Sequence, residues 1–370
     1  MKIIFEKRES VSHTVRFVVP LASLVFALIL GAVLLLISGA NPFAAYAAMA
    51  RGAFGGSRAV AETLVKATPL ILTGLSVAVA FRMLFWNIGA EGQLAMGGLA
   101  ASGLALYLAD GLPGWSVLPA VVLVGMLAGA VWALIPTALR AYLGVNEVIT
   151  TLMMNYIAIL LVSYLYHGPW RDPGGYGFPG TARFPEAAWL PRIYGRAHLG
   201  LVFAVIAAAG LWSVLQRTKW GFELRITGEN PQAARYIGIN LPRLMMVAML
   251  VSGALAGLAG VCEVTGVMRR LQQGLTVGYG YTAIIVAWMA QLNPWAVLLV
   301  GFLLAALLVG GDQIQMAMGL PAAMGLVLQG ALLFPMLGGM LFTEYRLRVV
   351  RTAREPAPPE QEMVGKAAGS

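Results

Sequence analysis

FVVPLASLVFALILGAVLLLIS, residues Phe17–Ser38, runs without a single charged side chain. A helix needs about 20 residues to cross the hydrocarbon core of a bilayer, so this stretch is long enough to span one. Inside hydrocarbon every backbone N–H and C=O must pair internally, which leaves helices or closed barrels. The apolar/polar alternation of a barrel strand is missing, so the stretch reads as a helix. Met1–Arg16 brings Lys2, Lys7, Arg8 and Arg16 to its entrance. A cleaved signal peptide has an apolar core of about 7–15 residues; this longer block reads as a retained first span, although the small residues of Ala44–Ala50 could imitate a cleavage site.

The same chemistry recurs along the chain. Hydrophobic residues make up 59% of it and charged residues 11%, with mean hydropathy +0.79. A soluble domain of this size carries about 25% charged residues, so most of this surface cannot face water. Ten apolar segments are read, roughly 17–38, 60–82, 88–109, 115–139, 144–166, 198–216, 244–266, 279–292, 295–311 and 320–342. The prediction is an all-α, polytopic transmembrane bundle of about ten membrane segments over residues 17–345. The eighth and ninth segments look short for full spans, and Asn293-Pro294 between them reads as a tight turn or a broken helix. A cytoplasmic segment, 1–16, precedes the bundle. A cytoplasmic tail, 346–370, follows it and reads as disordered after Arg354, where Pro356, Pro358 and Pro359 cluster.

A net charge of +9 invites a nucleic-acid reading. The basic residues are scattered around apolar blocks, however, and follow the positive-inside rule better than a phosphate-tracking stripe. With the N-terminus inside, 16 of the 25 Lys and Arg residues fall on the cytoplasmic side, five of them in loop 217–243 and five in the tail. Both termini are therefore expected in the cytoplasm, membrane lipid is the surrounding partner, and no nucleic acid is expected. The loop 167–197, rich in proline and glycine, falls outside. Gly253, Ala256, Gly257 and Gly260 let helices approach closely, a packing feature with no functional content.

Much chemistry is excluded. Cys262 is the only cysteine, so no disulfide framework or Cys-based metal site is available. His13, His167 and His198 are scattered, and no H-E-x-x-H or nucleophile elbow occurs. No G-x-x-x-x-G-K-[ST] occurs: of the five lysines only Lys366 follows a glycine, in the wrong context. The chain is read as a non-enzyme that needs no cofactor and borrows its energy from elsewhere.

Three polar constellations interrupt the apolar background. In Phe85-Trp86-Asn87-Ile88-Gly89-Ala90-Glu91-Gly92-Gln93, Gly89 and Gly92 weaken helix and permit irregular backbone. Burying Glu91 near hydrocarbon costs at least about 2–3 kcal/mol, tolerable where such backbone lines a cavity; an interfacial loop with snorkelling side chains is the plainer alternative. In Val145–Tyr156, Glu147, Thr151 and Asn155 recur every four residues on one helical face, which should meet protein or a watery path rather than lipid. Glu263, Asp312, Gln313, Gln315 and Gln329 are further polar candidates. For any one of these residues, interhelical hydrogen bonding explains it as well; together they suit a neutral polar solute.

The third constellation lies in loop 217–243. Asn230 is a natural N-cap, Pro231 suits the first helical position, and Gly238 suits a left-handed C-terminal residue. They frame a helix at Pro231–Ile237, too short to be stable unless docked. Small Ala233 and Ala234 would let a partner approach, and Tyr236 and Ile237 would give apolar grip; an ordinary amphipathic loop helix has the same features.

Gly228-Glu229-Asn230-Pro231-Gln232-Ala233-Ala234-Arg235-Tyr236-Ile237-Gly238-Ile239 resembles the cytoplasmic loop of the branched-chain amino acid/simple sugar group of ABC permeases, and Leu250–Gly257 is similar as well. The resemblance runs from about residue 60 to 342. It implies a type II-like importer permease in which Gly228, Glu229, Asn230, Pro231, Ala234, Arg235, Gly238 and Ile239 form the coupling element seated on an ATPase subunit. It also implies a second permease subunit and an extracytoplasmic solute-binding protein, in a bacterial inner membrane. Simple-sugar permeases usually carry an Asp-Leu-Ser-Val-Gly type motif where this chain has Asn87-Ile88-Gly89-Ala90-Glu91-Gly92-Gln93. The latter form, like Val145–Tyr156, resembles the nucleoside-type subgroup. Nucleosides are therefore the expected solute, with Asn87, Glu91, Gln93, Glu147, Thr151 and Asn155 along the path. The rivals are a simple-sugar permease of the same build, an ion-coupled secondary transporter using the intramembrane carboxylates, and, more distantly, a membrane-anchored interaction protein.

Overall fold

The computed structural model describes residues 2–7, 13–175, 177–321 and 323–350. Each of the ten apolar segments houses a helix: α1 (His13–Ile37), α3 (Ser57–Phe81), α4 (Ala90–Tyr107), α5 (Gly114–Leu143), α6 (Glu147–His167), α7 (Gly200–Arg217), α10 (Leu241–Cys262), α11 (Tyr279–Met289), α12 (Pro294–Met318) and α13 (Ala323–Glu344). Three further helices, α2 (Pro42–Phe54), α8 (Lys219–Glu229) and α9 (Pro231–Tyr236), lie between them. Among the described residues, six helices are long and apolar enough to cross a membrane, or seven spans if α1 and α2, bent by 113°, count as one.

One helix was not anticipated and one expectation needs amendment. The residues around Ala44–Ala50 form α2, capped by Asn41, whose side-chain oxygen accepts the N–H groups of Phe43 and Ala44 ahead of Pro42. The ninth segment is not short: α12 continues through Asp312, Gln313 and Gln315 to Met318, beyond the apolar run that set the expected end. Asn293-Pro294 is a tight turn, with Gln291 and Leu292 left-handed and Asn293 capping α12.

The core forms around α3 and α10. In the most apolar window of α3, 89% of residues are buried within the chain, and in that of α10 67%; in α5, α6 and α7 the share is 22–28%. Those three helices turn Leu123, Leu127, Leu160, Leu161 and Ile206 outward, as helices facing lipid tails or another subunit do. α10 packs on α3, α4 and α5. Gly97, Gly125, Gly129, Gly253 and Gly257 meet backbone to backbone there, and a Cβ at any of them would collide.

Strand β1 (Lys2–Lys7) pairs antiparallel with β4 (Tyr345–Val350), from Lys2 opposite Val350 to Lys7 opposite Tyr345, so the segments before α1 and after α13 lie together. The first residues of the expected tail, 346–350, thus belong to a strand; 351–370, where disorder is expected after Arg354, lie outside the described residues. Loop 168–199 carries the hairpin β2 (Arg192–Tyr194) and β3 (Ala197–His198) and is tied down. Thr181 N–H donates to Leu271 O (2.9 Å), Phe184 N–H to Arg269 O (3.0 Å), and the Arg269 guanidinium sits 4.0 Å over Trp189. The loop so holds residues 269–278, the irregular stretch that re-enters the bundle before the short α11.

Candidate functional site

α9 has the caps its sequence predicts. Asn230 Oδ1 accepts the N–H groups of Gln232 (3.0 Å) and Ala233 (3.1 Å), and Pro231 occupies the first turn, where no N–H is needed. At the far end Gly238 is left-handed (φ +85°), and Ile239 N–H returns to Ala234 O (3.0 Å). Glu229, Pro231, Ala233 and Arg235 are exposed. Tyr236 projects at 93% exposure beside Ile237 at 57%. Ala234, expected to face a partner, is instead fully buried against its own chain and anchors the knob. A two-turn helix this short gains its order from that anchor and from its caps.

The base of the knob touches the transmembrane bundle. A Cβ on Gly228 would run into the backbone carbonyl of Arg82, at the end of α3. The Arg82 side chain donates through Nη2 to Leu292 O (2.8 Å), at the turn between α11 and α12. Burial, with Arg225 nearby, holds the Arg82 pKa below its ordinary value. The loop from Arg82 to Gly89 leads directly into the polar motif.

There the side chains expected along a path are knitted together. Asn87 and Gln93 exchange amide hydrogen bonds (3.2 and 3.1 Å), and Asn87 Nδ2 also donates to Ser252 Oγ (3.0 Å) on α10. Ser252 in turn donates to Ser76 O (2.8 Å). Asn155 accepts Gly92 N–H (2.8 Å) and donates to Ile88 O (2.8 Å) and to the Tyr281 hydroxyl (3.3 Å). Glu91, in the first turn of α4, accepts Gly278 N–H on Oε1 (2.8 Å) and Gly280 N–H on Oε2 (2.6 Å). A carboxylate thereby caps the N-terminus of α11, where N–H groups lack intrahelical partners and the helix dipole favours negative charge. Left-handed Gly278 (φ +93°) makes the turn, and Gly280 lies directly on the Glu91 backbone.

Glu147, Thr151 and Asn155 share one face, as their spacing predicts, and that face is buried against protein. Thr151 donates to Glu147 O (2.7 Å), and Glu147 pairs with Arg140 Nε (3.1 Å) across the α5–α6 turn. Asn87, Glu91, Gln93, Thr151 and Asn155 are each at most 1% exposed. In this conformation they fasten α4 to α6, α10 and α11, and half-buried Tyr281 is where their network approaches the surface. Sequence reasoning missed the partners: Gly278 and Gly280 lie almost 190 residues beyond Glu91, and nothing local to either stretch announces the pairing.

The opposite end of the bundle carries an open cleft of about 890 Å³ between α2, α3 and α12. Its charged lining is Arg51, Arg58, Glu62, Lys66, Arg196 and Asp312, with Arg196 bonded to Glu62 (2.8 Å). Gln313 lines it as well, Gln315 is exposed nearby on α12, and Gln329 is buried. Among the described residues no group of three or more His, Cys, Asp or Glu side chains is placed to hold a metal ion.

The family described as branched-chain amino acid transport system / permease component matches residues 59–337. The chain belongs to this family. The permease is 36% identical over 312 residues to the guanosine ABC transporter permease protein of Bacillus subtilis, covering 82% of this chain and 88% of that one. It is 35% identical over 375 residues to the glucose ABC transporter permease protein of Haloferax volcanii, covering 98% of each. It is 33% identical over 334 residues to the nucleoside ABC transporter permease protein of Lactococcus lactis, covering 87% and 91%. The permease is thus the multi-pass, membrane-spanning subunit of an ATP-driven importer. It has no ATPase site of its own; a partner subunit hydrolyses the ATP, and a solute-binding protein delivers the cargo.

Proposed function

We propose that the permease imports nucleosides, with α9 seated on the ATPase and both chain ends in the cytoplasm. The observation that carries the coupling role is the exposed Tyr236 on a knob whose base, at Gly228, bears on the carbonyl of Arg82. A push on α9 reaches the Arg82–Gly89 loop through that contact, then the start of α4, then the α11 N-terminus through Glu91. Asn87, Glu91, Gln93 and Asn155 act as the joints of this linkage and shape the path beside Tyr281, while Glu147 and Thr151 brace α6. A second permease subunit completes the path against the outward apolar faces of α5–α7.

The pairing of β1 with β4 supports placing both termini on one side, and the 16 of 25 basic residues assigned to that side support the cytoplasm. Nucleosides are favoured by the Asn87–Gln93 motif and by relatives named for guanosine and nucleosides. A glucose reading is favoured by the relative matching 98% of both chains. Uptake of labelled uridine and of labelled glucose, in cells expressing the complete complex against cells lacking this permease, separates them. Permease-dependent uridine uptake is expected; permease-dependent glucose uptake with uridine unaffected overturns the nucleoside assignment.

A further inference from the structure

Nine of the 25 Lys and Arg residues fall on the side opposite α9, against the bias that gathers basic residues in the cytoplasm. α3 separates the two sides: Glu62, near its start, bonds Arg196 (2.8 Å), and Arg82, just past its end, meets Gly228 at the base of the knob. At 1.5 Å per residue, the helix between them is about 30 Å long.

Contacts of loop 168–199 gather most of the nine into one patch. Phe184 N–H donates to Arg269 O (3.0 Å), which sets Arg183 beside Arg269. Thr181 N–H donates to Leu271 O (2.9 Å), and Gly180 bridges to Gln272, so Arg270 lies along the same segment. Trp189 lies 4.0 Å under the Arg269 guanidinium, and Leu190 N–H donates to Thr265 O (3.3 Å). Those two residues lead into the β2–β3 hairpin, which carries Arg192 and Arg196. Arg196 reaches Glu62, and Arg58 lines the same cleft. Besides burial, the like charges of Arg192 and Arg183 lower the Arg269 pKa. Arg58, Arg183, Arg192, Arg196 and Arg270 are exposed, and so are Ile193 (55%) and Tyr194 (47%) in the hairpin. Among the described residues, Arg196 with Glu62 is the one ion pair of the patch. Like charges crowded on a folded loop repel one another, a cost to the isolated chain that an acidic partner removes.

We infer that this face, built from Arg183, Arg192, Arg269 and the Ile193–Tyr194 hairpin, seats the solute-binding protein, which meets it with carboxylates. Arg and Tyr are prominent among the residues that carry protein–protein contacts. The loop is already ordered by its own bonds, so docking costs little conformational freedom. Arg269 also opens the stretch 269–278, which ends at Gly278 on the Glu91 carboxylate. A partner gripping Arg269 therefore holds one end of the segment whose other end Glu91 holds. The face rests on the import reading and on the cytoplasmic placement of α9, but not on which solute is carried.

The test places the complete complex in phosphatidylcholine nanodiscs and titrates the purified, solute-loaded binding protein, reading the stimulation of ATP hydrolysis. Arg183→Glu combined with Arg192→Glu should raise the half-stimulating concentration about tenfold at low ionic strength, with the maximal rate kept. High salt should weaken the parent several-fold and the variant much less. If the double variant fails to assemble, Arg183→Gln and Arg192→Gln carry the test singly, each expected to show about a threefold rise. An unchanged half-stimulating concentration in the variants overturns the docking face. So does a defect that appears only when phosphatidylglycerol is added to the nanodiscs, which assigns the patch to anionic lipid headgroups. A parent complex that the loaded binding protein fails to stimulate at any concentration overturns the import reading on which the face depends.

Discussion

Replacing Glu91 by Gln removes one carboxylate oxygen and little else, which makes it a sharp probe of the linkage. Both oxygens of Glu91 accept backbone N–H groups, from Gly278 at 2.8 Å and Gly280 at 2.6 Å. A Gln side chain keeps one acceptor and turns an NH2 toward the other N–H, donor against donor. The loss of one charge-assisted hydrogen bond and the stranding of a buried N–H together cost about 2–4 kcal/mol. That is roughly a 30- to 700-fold shift in the population whose α11 start is ordered. Hydrogen exchange on the purified protein reads the effect directly: amides of residues 278–282 should lose protection by a factor of that order, while those of α10 keep theirs. Solute uptake should fall in the same variant. Glu91→Asp, which keeps two acceptors on a shorter arm, should be milder. Unchanged protection at 278–282 in Glu91→Gln would refute the view that this carboxylate holds the broken helix.

Other substitutions test other joints. Gly228→Val drives a side chain into the Arg82 carbonyl; at the roughly 1–3 kcal/mol typical of overpacking, uptake should fall while ATP hydrolysis by the assembled complex persists. Asn230→Ala removes the acceptor of two N–H groups, costs about 1 kcal/mol, and should weaken ATPase co-purification several-fold. Arg235→Glu reverses an exposed charge on the knob, so the protein should fold normally and hydrolyse ATP without transport, read as the ratio of phosphate released to solute moved. His198 gives a pH prediction. It is buried beside the α7 start, Nδ1 accepts Gly200 N–H (3.2 Å), and burial pushes its pKa from 6.5 down to about 4. The unfolded chain therefore binds a proton between pH 6.5 and 4 that the folded chain refuses. Stability is full above pH 6.5 and falls by about 3 kcal/mol as the pH drops to 4. Thermal melts across that window should show the loss, and His198→Asn should flatten it.

The membrane bundle was legible because hydrocarbon imposes a blunt rule, some 20 mostly apolar residues, which Phe17–Ser38 meets without any charge and its counterparts with few. The α9 knob was legible for a different reason: Asn230, Pro231 and Gly238 act on their own neighbours, and caps are local. Ala234 was misjudged because smallness allows close packing from either side, and only the folded chain decides which. The end of α12 was set too early because Asp312, Gln313 and Gln315 are polar, although a helix lining a cleft need not be apolar there. The Asn87–Asn155 motif was recognised as special, but its chemistry depends on Ser252, Gly278, Gly280 and Tyr281. Those contacts link positions more than a hundred residues apart, and no periodicity encodes them.

The central claim is that α9 takes force from the ATPase on the cytoplasmic side. Cys262, the only native cysteine, is fully buried, so Tyr236→Cys supplies a single reactive thiol on the 93%-exposed knob. Labelling with a membrane-impermeant maleimide in oriented vesicles reads which side it faces and what covers it. The account predicts labelling from the cytoplasmic side, strong in the permease alone and suppressed at least tenfold once the ATPase is bound. Labelling from the external side, or equal labelling with and without the ATPase, would contradict it.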